Sequence, residues 1–150
     1  MNLLRFIDKV FPPDFVLAHC DVPCGIYDPK PAQIAAETVA KMVDKLINPP
    51  HLDEKDKQSR LDFHNNMTRY VIEKEEQAEI CKRELLILWT DFFKPEHLKT
   101  FPNLHETFWK AAKLCSKNKQ SVDEKAASDL VTAVDEIAEM FTKVKAAAKK

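Results

Sequence analysis

The sequence predicts an all-α fold, an antiparallel four-helix bundle with a short irregular segment before its first helix. The chain has 150 residues but a single glycine, Gly25, whereas β-hairpins and barrels use many glycines in their turns. Its nine prolines fall mostly in short clusters between helical stretches. A composition of 45% hydrophobic and 31% charged residues fits one domain with a sizeable core.

The composition also excludes several classes of function. One glycine is too few for a phosphate-binding loop, a dinucleotide fingerprint or the nucleophile elbow of a hydrolase. The 23 basic and 24 acidic residues give a net charge of −1, which offers no general attraction to nucleic acid or to an anionic membrane. No apolar run reaches the roughly 20 residues that cross a bilayer. We therefore expect neither a nucleic acid nor a membrane as partner.

The first 18 residues look superficially like a signal peptide because they end in Val16-Leu17-Ala18. Their apolar stretch is interrupted by charges, at Arg5, Asp8, Lys9 and Asp14. This pattern does not favour export, so we expect a cytoplasmic protein. The four cysteines would then stay reduced and available for metal binding or redox chemistry.

Two helices are predicted in the first part of the chain. The first runs from Pro31 to Ile47, with apolar residues at helical spacing: Ile34, Val39, Met42, Val43, Leu46 and Ile47. The second runs from Asp53 to about Phe93, with a polar middle and a strongly apolar end. We expect it to begin exposed and to end buried, in part against another subunit.

Two further helices complete the predicted bundle. Residues at steps of four, three and four define the third helix: Leu104, Phe108, Ala111 and Cys115. The fourth opens with the capping-box pattern Ser121–Glu124. Its apolar stripe consists of Ala126, Leu130, Ala133, Ile137, Phe141, Val144 and Ala148. Four amphipathic helices joined by short breaks predict an antiparallel bundle.

The helices do not carry a recognisable metal site. A di-iron site in a bundle needs Glu-x-x-His motifs, and no histidine of the predicted helices has glutamate three residues before it. The glutamates between Glu73 and Glu79 are interpreted as a solvated face. Cys81 and Cys115 are interpreted as small core residues.

Chemistry concentrates instead in the hook segment, residues His19–Pro29. Cys20 and Cys24 lie beside His19, and Pro23 with Gly25 can bend the chain so that both sulfurs meet. A disulfide-closed loop is one interpretation. If the chain were cut between Ala18 and His19, however, an α-amine, an imidazole, a backbone nitrogen and two thiolates would converge. Such planar nitrogen and sulfur donors suit Ni(II) or Cu(II) better than tetrahedral zinc.

The hook segment resembles a known family. Its pattern His-Cys-Asp-x-Pro-Cys-Gly-x-Tyr-Asp-Pro is similar to the nickel-binding hook of nickel-containing superoxide dismutases, and the stretches 88–95 and 101–105 are similar to the same family. The resemblance covers residues 19–150, most closely the cyanobacterial and marine microbial forms. It implies that residues 1–18 are a pro-segment removed by a maturation protease. It also implies that residues 19–150 form a four-helix bundle assembled as a homohexamer.

The resemblance assigns a role to each residue of the site. His19 would supply its α-amine and its imidazole, Cys20 its amide nitrogen and thiolate, and Cys24 the second thiolate, to one nickel ion per subunit. Pro23 would shape the hook through a cis peptide bond. Tyr27 would stand over the open face of the metal, limit access to small anions and position ordered water.

Two departures from the family pattern concern residues around that site. Many relatives hold the axial imidazole with a glutamate paired to an arginine, and the matching positions here are Ala35 and Gln77. Because both partners change together, no unpaired charge is left, and we expect activity to survive with a different control of the imidazole. Phe92 stands where some relatives have a tyrosine, which removes a hydroxyl near Tyr27.

The sequence thus predicts an enzyme that converts superoxide to dioxygen and hydrogen peroxide by a Ni(III)/Ni(II) cycle. Lys94 is one candidate for steering the anionic substrate. Two other interpretations remain at this point. One is a nickel or copper carrier that uses the same ligands without turnover. The other is a helical interaction protein whose hook segment is a disulfide-closed loop.

Overall fold

Four α-helices form the bundle that the sequence predicts. The computed structural model describes residues 26–148, and this part of the chain is helical without strands. The helices are α1 Lys30–Ile47, α2 Lys57–Ile87, α3 Leu104–Gln120 and α4 Glu124–Ala147. A π-helical turn, Leu88–Phe92, continues α2, and a 3-10 turn, Pro95–Lys99, leads toward α3.

Each helix packs against its two neighbours in the order α1, α2, α3, α4 and back to α1. The connections between consecutive helices are short, which makes sequence neighbours antiparallel. The start of α1 and the end of α4 therefore lie at the same end of the bundle. Within residues 26–148, no helix combines the length and the apolar character that a membrane crossing requires.

The start of α2 differs from the prediction. The helix begins after Asp56, whose carboxylate accepts hydrogen bonds from the backbone N–H groups of Gln58 and Ser59. Asp53, the predicted start, lies in the preceding turn, where its carboxylate accepts from the N–H of Lys55 at 2.9 Å. Both aspartates are good capping residues, and only the backbone hydrogen bonds distinguish them.

The predicted capping box of α4 is wrong. Asp123 caps the helix, accepting from the N–H of Ala126 at 2.9 Å. Ser121 instead ends α3, where its hydroxyl donates to the carbonyl of Lys117 at 3.0 Å. Because α3 continues to Gln120, the segment between the helices is too short to leave Ser121 for α4.

The buried face of α1 consists mainly of small residues: Ala32, Ala35, Ala36, Val39 and Val43. The prediction that Ile34 and Ile47 face the core is wrong, since they are 52% and 44% exposed. Counting back from Val39 in steps of three and four residues, the buried face of α1 passes through the three alanines. Ile34 is not on that face. Small residues at these positions let α1 approach its neighbours closely.

The prediction that α2 begins exposed and ends buried is confirmed. Its first buried residue is Lys74, and the buried positions after it are Ala78, Cys81 and Leu85. In the preceding half, Leu61 is 55% exposed. Coverage of this half by another subunit stays a prediction.

The core faces of α3 and α4 largely match the predicted stripes. All four residues of the α3 pattern are buried, and so are Ala126, Leu130, Ile137 and Phe141 of α4. Ala133 and Val144 are half-buried, and Ala148 is exposed because it lies beyond the end of α4. The stripe therefore loses its cover toward the C-terminus.

Candidate metal centre

The three predicted nickel ligands, His19, Cys20 and Cys24, lie outside the described residues, as does Pro23. The structure describes the last part of the hook segment, where the chain enters α1. The carboxylate of Asp28 accepts a hydrogen bond from the N–H of Lys30 at 2.8 Å, and Pro29 occupies the N-cap position. These two residues fix where the hook segment ends and the bundle begins.

Tyr27 is held by two parts of the chain that are distant in sequence. Its half-buried ring lies 5.7 Å from the ring of Phe92, at an interplanar angle of 58°. Its backbone carbonyl accepts a hydrogen bond from the ammonium of Lys145 at 3.0 Å. The aromatic residue predicted to limit access to the metal is thus anchored on the bundle through both its side chain and its backbone.

An aromatic cluster extends from Tyr27 into the core. The ring of Phe92 lies 4.3 Å from that of Phe141 and 5.0 Å from that of Phe93. Phe93 in turn contacts Phe108 at 5.4 Å, and Trp89 stacks on Phe108 at 5.7 Å. Edge-to-face and offset arrangements at these separations are the favourable ones for aromatic pairs.

The π-helical turn carries two aromatic residues of this cluster, Trp89 and Phe92. It spans Leu88–Phe92, so the helix widens just before the chain leaves it, and single π turns are common at functional sites. The indole N–H of Trp89 donates to Nδ1 of His105 at 2.8 Å, which joins the turn to α3. Both residues belong to the stretches that resemble the family, but their spacing carries no signal for a π turn or for this hydrogen bond.

The structure describes the surroundings of the residues that depart from the family pattern. Ala35 is buried in α1. Gln77 is half-buried in α2, and its amide donates to the carboxylate of Glu73 at 2.9 Å. Phe92 lies beside Tyr27, as the resemblance implies, and brings a phenyl ring without a hydroxyl to that contact.

The described residues offer no alternative metal site. Between residues 26 and 148 no group of three or more histidine, cysteine or acidic side chains is arranged to hold a metal ion. Cys81 and Cys115 are free thiols with no exposed surface, which confirms that they are core residues. A hydrogen bond that the Cys81 thiol donates to Cys115, together with burial, raises the pKa of Cys81 far above its usual range. This thiol is therefore unsuited to act as a thiolate ligand.

The predicted solvated face of α2 is mostly confirmed. Glu75, Glu76 and Glu79 are exposed, and Glu73 is half-buried. Glu79 forms an ion pair with Lys119 at 2.8 Å, and that pairing lowers its pKa.

Two lysines lie near the aromatic cluster, and only one was predicted. Lys94 is exposed at the start of the 3-10 turn, where its backbone N–H donates to Nδ1 of His97 at 3.0 Å. Lys145 contacts Tyr27 directly but is 118 residues away in sequence. Its position in the Lys/Ala-rich end of α4 gave no signal for that contact.

Comparisons with known proteins show the family of this chain. The family model for nickel-containing superoxide dismutase matches residues 14–145. The chain is 34% identical to the superoxide dismutase [Ni] of Streptomyces seoulensis over 142 residues, covering 94% of this chain and 99% of the relative. It is 33% identical to the corresponding protein of Streptomyces coelicolor, with the same coverage.

Solved structures of nickel superoxide dismutase also resemble the bundle. A native structure at 1.30 Å superposes with a TM-score of 0.70 and 32% identity, covering 85% of this chain and 98% of that one. A mutant structure at 1.9 Å gives a TM-score of 0.72 and 31% identity with the same coverage.

Proposed function

Because the chain belongs to the family of nickel-containing superoxide dismutases, we propose that His19, Cys20 and Cys24 hold its nickel ion. Membership in the family makes the protein an oxidoreductase that acts on superoxide with one nickel ion per subunit. The assignment of the ligands, of the cleavage after Ala18 and of Tyr27 as the catalytic residue belongs to the proposal.

One observation carries the assignment of the ligands. The chain has four cysteines, and the structure buries two of them, Cys81 and Cys115, in the core. The thiols left for a metal are therefore Cys20 and Cys24, next to a histidine. Two thiolates with amine, amide and imidazole nitrogens fit nickel better than zinc or a hard cation.

The hook segment would provide the ligands, and the bundle would provide their support. Bound nickel supplies the Ni(III)/Ni(II) couple, through which two superoxide ions and two protons become dioxygen and hydrogen peroxide. The ring of Tyr27 limits access to small anions and orders water at the site. Lysines near the opening, Lys94 among them, attract superoxide by their charge.

Cleavage after Ala18 is part of the same proposal. While His19 is joined to Ala18, its nitrogen is an amide and not an amine, and the donor set is incomplete. Residues 1–18 are then a pro-segment that a maturation protease removes, and residues 19–150 are the enzyme. We expect maturation and activity in the cytoplasm, because charges interrupt the apolar stretch of the pro-segment.

A homohexamer completes the proposal. The first half of α2 supports it, because apolar residues there find no cover within the described part of the chain: Leu61 and Ile72 are 55% and 51% exposed. Trp109 of α3 is 57% exposed as well. Contact with another subunit would remove this apolar surface from water.

Serine substitutions of the hook cysteines test the ligands. We expect Cys20→Ser and Cys24→Ser, in the chain that begins at His19, to lose both bound nickel and superoxide consumption. Cys115→Ala is the matched control, because it removes a thiol from the core and should keep nickel. Nickel retained at the wild-type level by both serine variants would exclude these ligands. Nickel that leaves rapidly to a chelator, without superoxide consumption by the wild type, would identify a metal carrier instead.

A further inference from the structure

Lys145 joins the end of α4 to the base of the hook segment. Its ammonium donates a hydrogen bond to the backbone carbonyl of Tyr27 at 3.0 Å, across 118 residues of sequence. The two residues can meet because α4 ends at the same end of the bundle at which α1 begins. It fixes a backbone atom of the residue that leads directly into the proposed site.

The ammonium of Lys145 also contacts the aromatic cluster that packs against Tyr27. It lies 4.9 Å from the ring centroid of Phe141, one helical turn earlier in α4. The ring of Phe141 contacts Phe92 at 4.3 Å, and Phe92 contacts the ring of Tyr27 at 5.7 Å. The ring of Tyr27 is thus held by Phe92, which packs on Phe141. The carbonyl of Tyr27 is held by the ammonium of Lys145, which also lies over the ring of Phe141.

Tyr27 is close in sequence to one of the proposed ligands. Cys24 is three residues upstream, and three residues span at most about 11 Å when fully extended. The contacts of Tyr27 therefore act within about 11 Å of a proposed ligand along the chain. A shift of Tyr27 would also move its ring, which the proposed function places over the metal.

We propose that Lys145 is a positioning residue of the nickel site, which rests on the proposed function. It acts through Tyr27, whose backbone and ring it keeps in one place relative to the ligands. Both a hydrogen-bond donor and a positive charge are needed at this position, the first for the carbonyl and the second for the ring of Phe141. Arginine retains both, whereas methionine retains only the length of the side chain.

Three variants of the chain that begins at His19 separate this role from a general effect of charge. Lys145→Met removes donor and charge, and Lys145→Arg keeps them. Lys143→Met is the control: Lys143 is exposed on the same helix and pairs only loosely with Glu139, at 3.8 Å. It removes the same charge two residues away from the contact.

Hydrogen exchange of the nickel-free chain gives a readout that does not depend on activity. In Lys145→Met we expect the backbone N–H groups of Ile26, Tyr27, Asp28 and Lys30 to exchange about fivefold faster, the factor that one net hydrogen bond contributes. In the nickel-loaded chain we expect weaker nickel binding and a changed visible spectrum, because the ring of Tyr27 that the proposed function places over the metal is then held less firmly. Lys145→Arg and Lys143→Met should match the wild type in all three measurements.

Unchanged exchange and nickel affinity in Lys145→Met would overturn the proposal. So would an equal loss in Lys143→Met, because the effect would then belong to the charge of α4 and not to the contact. If the wild type itself bound no nickel, the proposed function would fail. Faster exchange confined to Lys145→Met would in that case still show that Lys145 holds Tyr27.

Discussion

Lys74 caps the C-terminus of α3 from inside the bundle, and its removal should destabilise the fold. Its side chain is 2% exposed, and its ammonium donates to the carbonyls of Asn118, Lys119 and Ser121, the latter two at 3.2 and 3.0 Å. The last carbonyls of a helix lack partners within it, and a cation there also interacts favourably with the helix dipole. Burial lowers the pKa of Lys74, and the nearby carboxylate of Glu75 opposes that effect by stabilising the charged form.

The expected cost of Lys74→Met follows from these contacts. The bond to the Asn118 carbonyl is buried and the other two are partly buried. Loss of the buried charged bond costs about 1.5–3 kcal/mol, and each partly buried acceptor adds about 1 kcal/mol. Burial of the methionine side chain returns about 1–2 kcal/mol. We expect the free energy of unfolding to fall by about 2–3 kcal/mol, which lowers Tm by about 5–10 °C for a chain of this length.

Urea unfolding followed by circular dichroism measures this loss. Lys82→Met is the matched control: the half-buried Lys82 lies on the same helix, and its ammonium donates to the hydroxyl of Ser116 at 3.3 Å. Its effect should stay within about 0.5 kcal/mol. A Lys74→Met variant as stable as the wild type would refute the capping role, because apolar burial would then fully replace three hydrogen bonds.

Two further predictions concern the core and the pH dependence of stability. Phe108→Ala should cost about 3–5 kcal/mol in urea unfolding, because the ring has no exposed surface and contacts Phe93 and Trp89; a loss below 1 kcal/mol would contradict that packing. The pKa of Asp123 is lowered below 3.8 by its hydrogen bond from Lys117 and by the helix N–H that it caps. At pH values between the pKa of Asp123 in the folded chain and its pKa in the unfolded chain, the unfolded chain binds more protons. The contribution of the Asp123 charge to the free energy of unfolding is therefore complete above pH ~4 and disappears as the pH falls further. Asp123→Asn keeps a cap but not the charge, so its deficit against the wild type should be present at pH 7 and absent at pH 2; an equal deficit at both pH values would contradict the assignment.

Periodicity alone was sufficient to predict most of the fold. The four helices and the buried residues of α3 follow from apolar positions at steps of three and four, because a helix in a small bundle must bury one face. Ile34 shows where this reasoning fails: the core selected small residues of α1, and hydrophobicity alone ranks isoleucine above alanine. Ser121 and Asp123 are equally good caps in sequence, and the length of α3 decides between them.

The sequence could propose a candidate site only where the chemistry is local in sequence. His19, Cys20 and Cys24 lie within six residues, so their donor set can be recognised from spacing, and Tyr27 belongs to the same pattern. Lys145 contacts Tyr27 through the antiparallel return of α4, which no local pattern encodes. Lys74 sits in a run of charged residues that predicts solvent exposure, and only packing against the end of α3 shows that it is buried.

The most direct test of the proposed function compares two purified chains, one beginning at Met1 and one at His19. Both are measured for nickel content and for superoxide consumption under identical conditions. The proposed ligands predict about one nickel ion per chain and activity in the His19 form alone, because the α-amine exists only there. Equal activity in both chains would contradict the account, since the amine could not then be a ligand of the nickel.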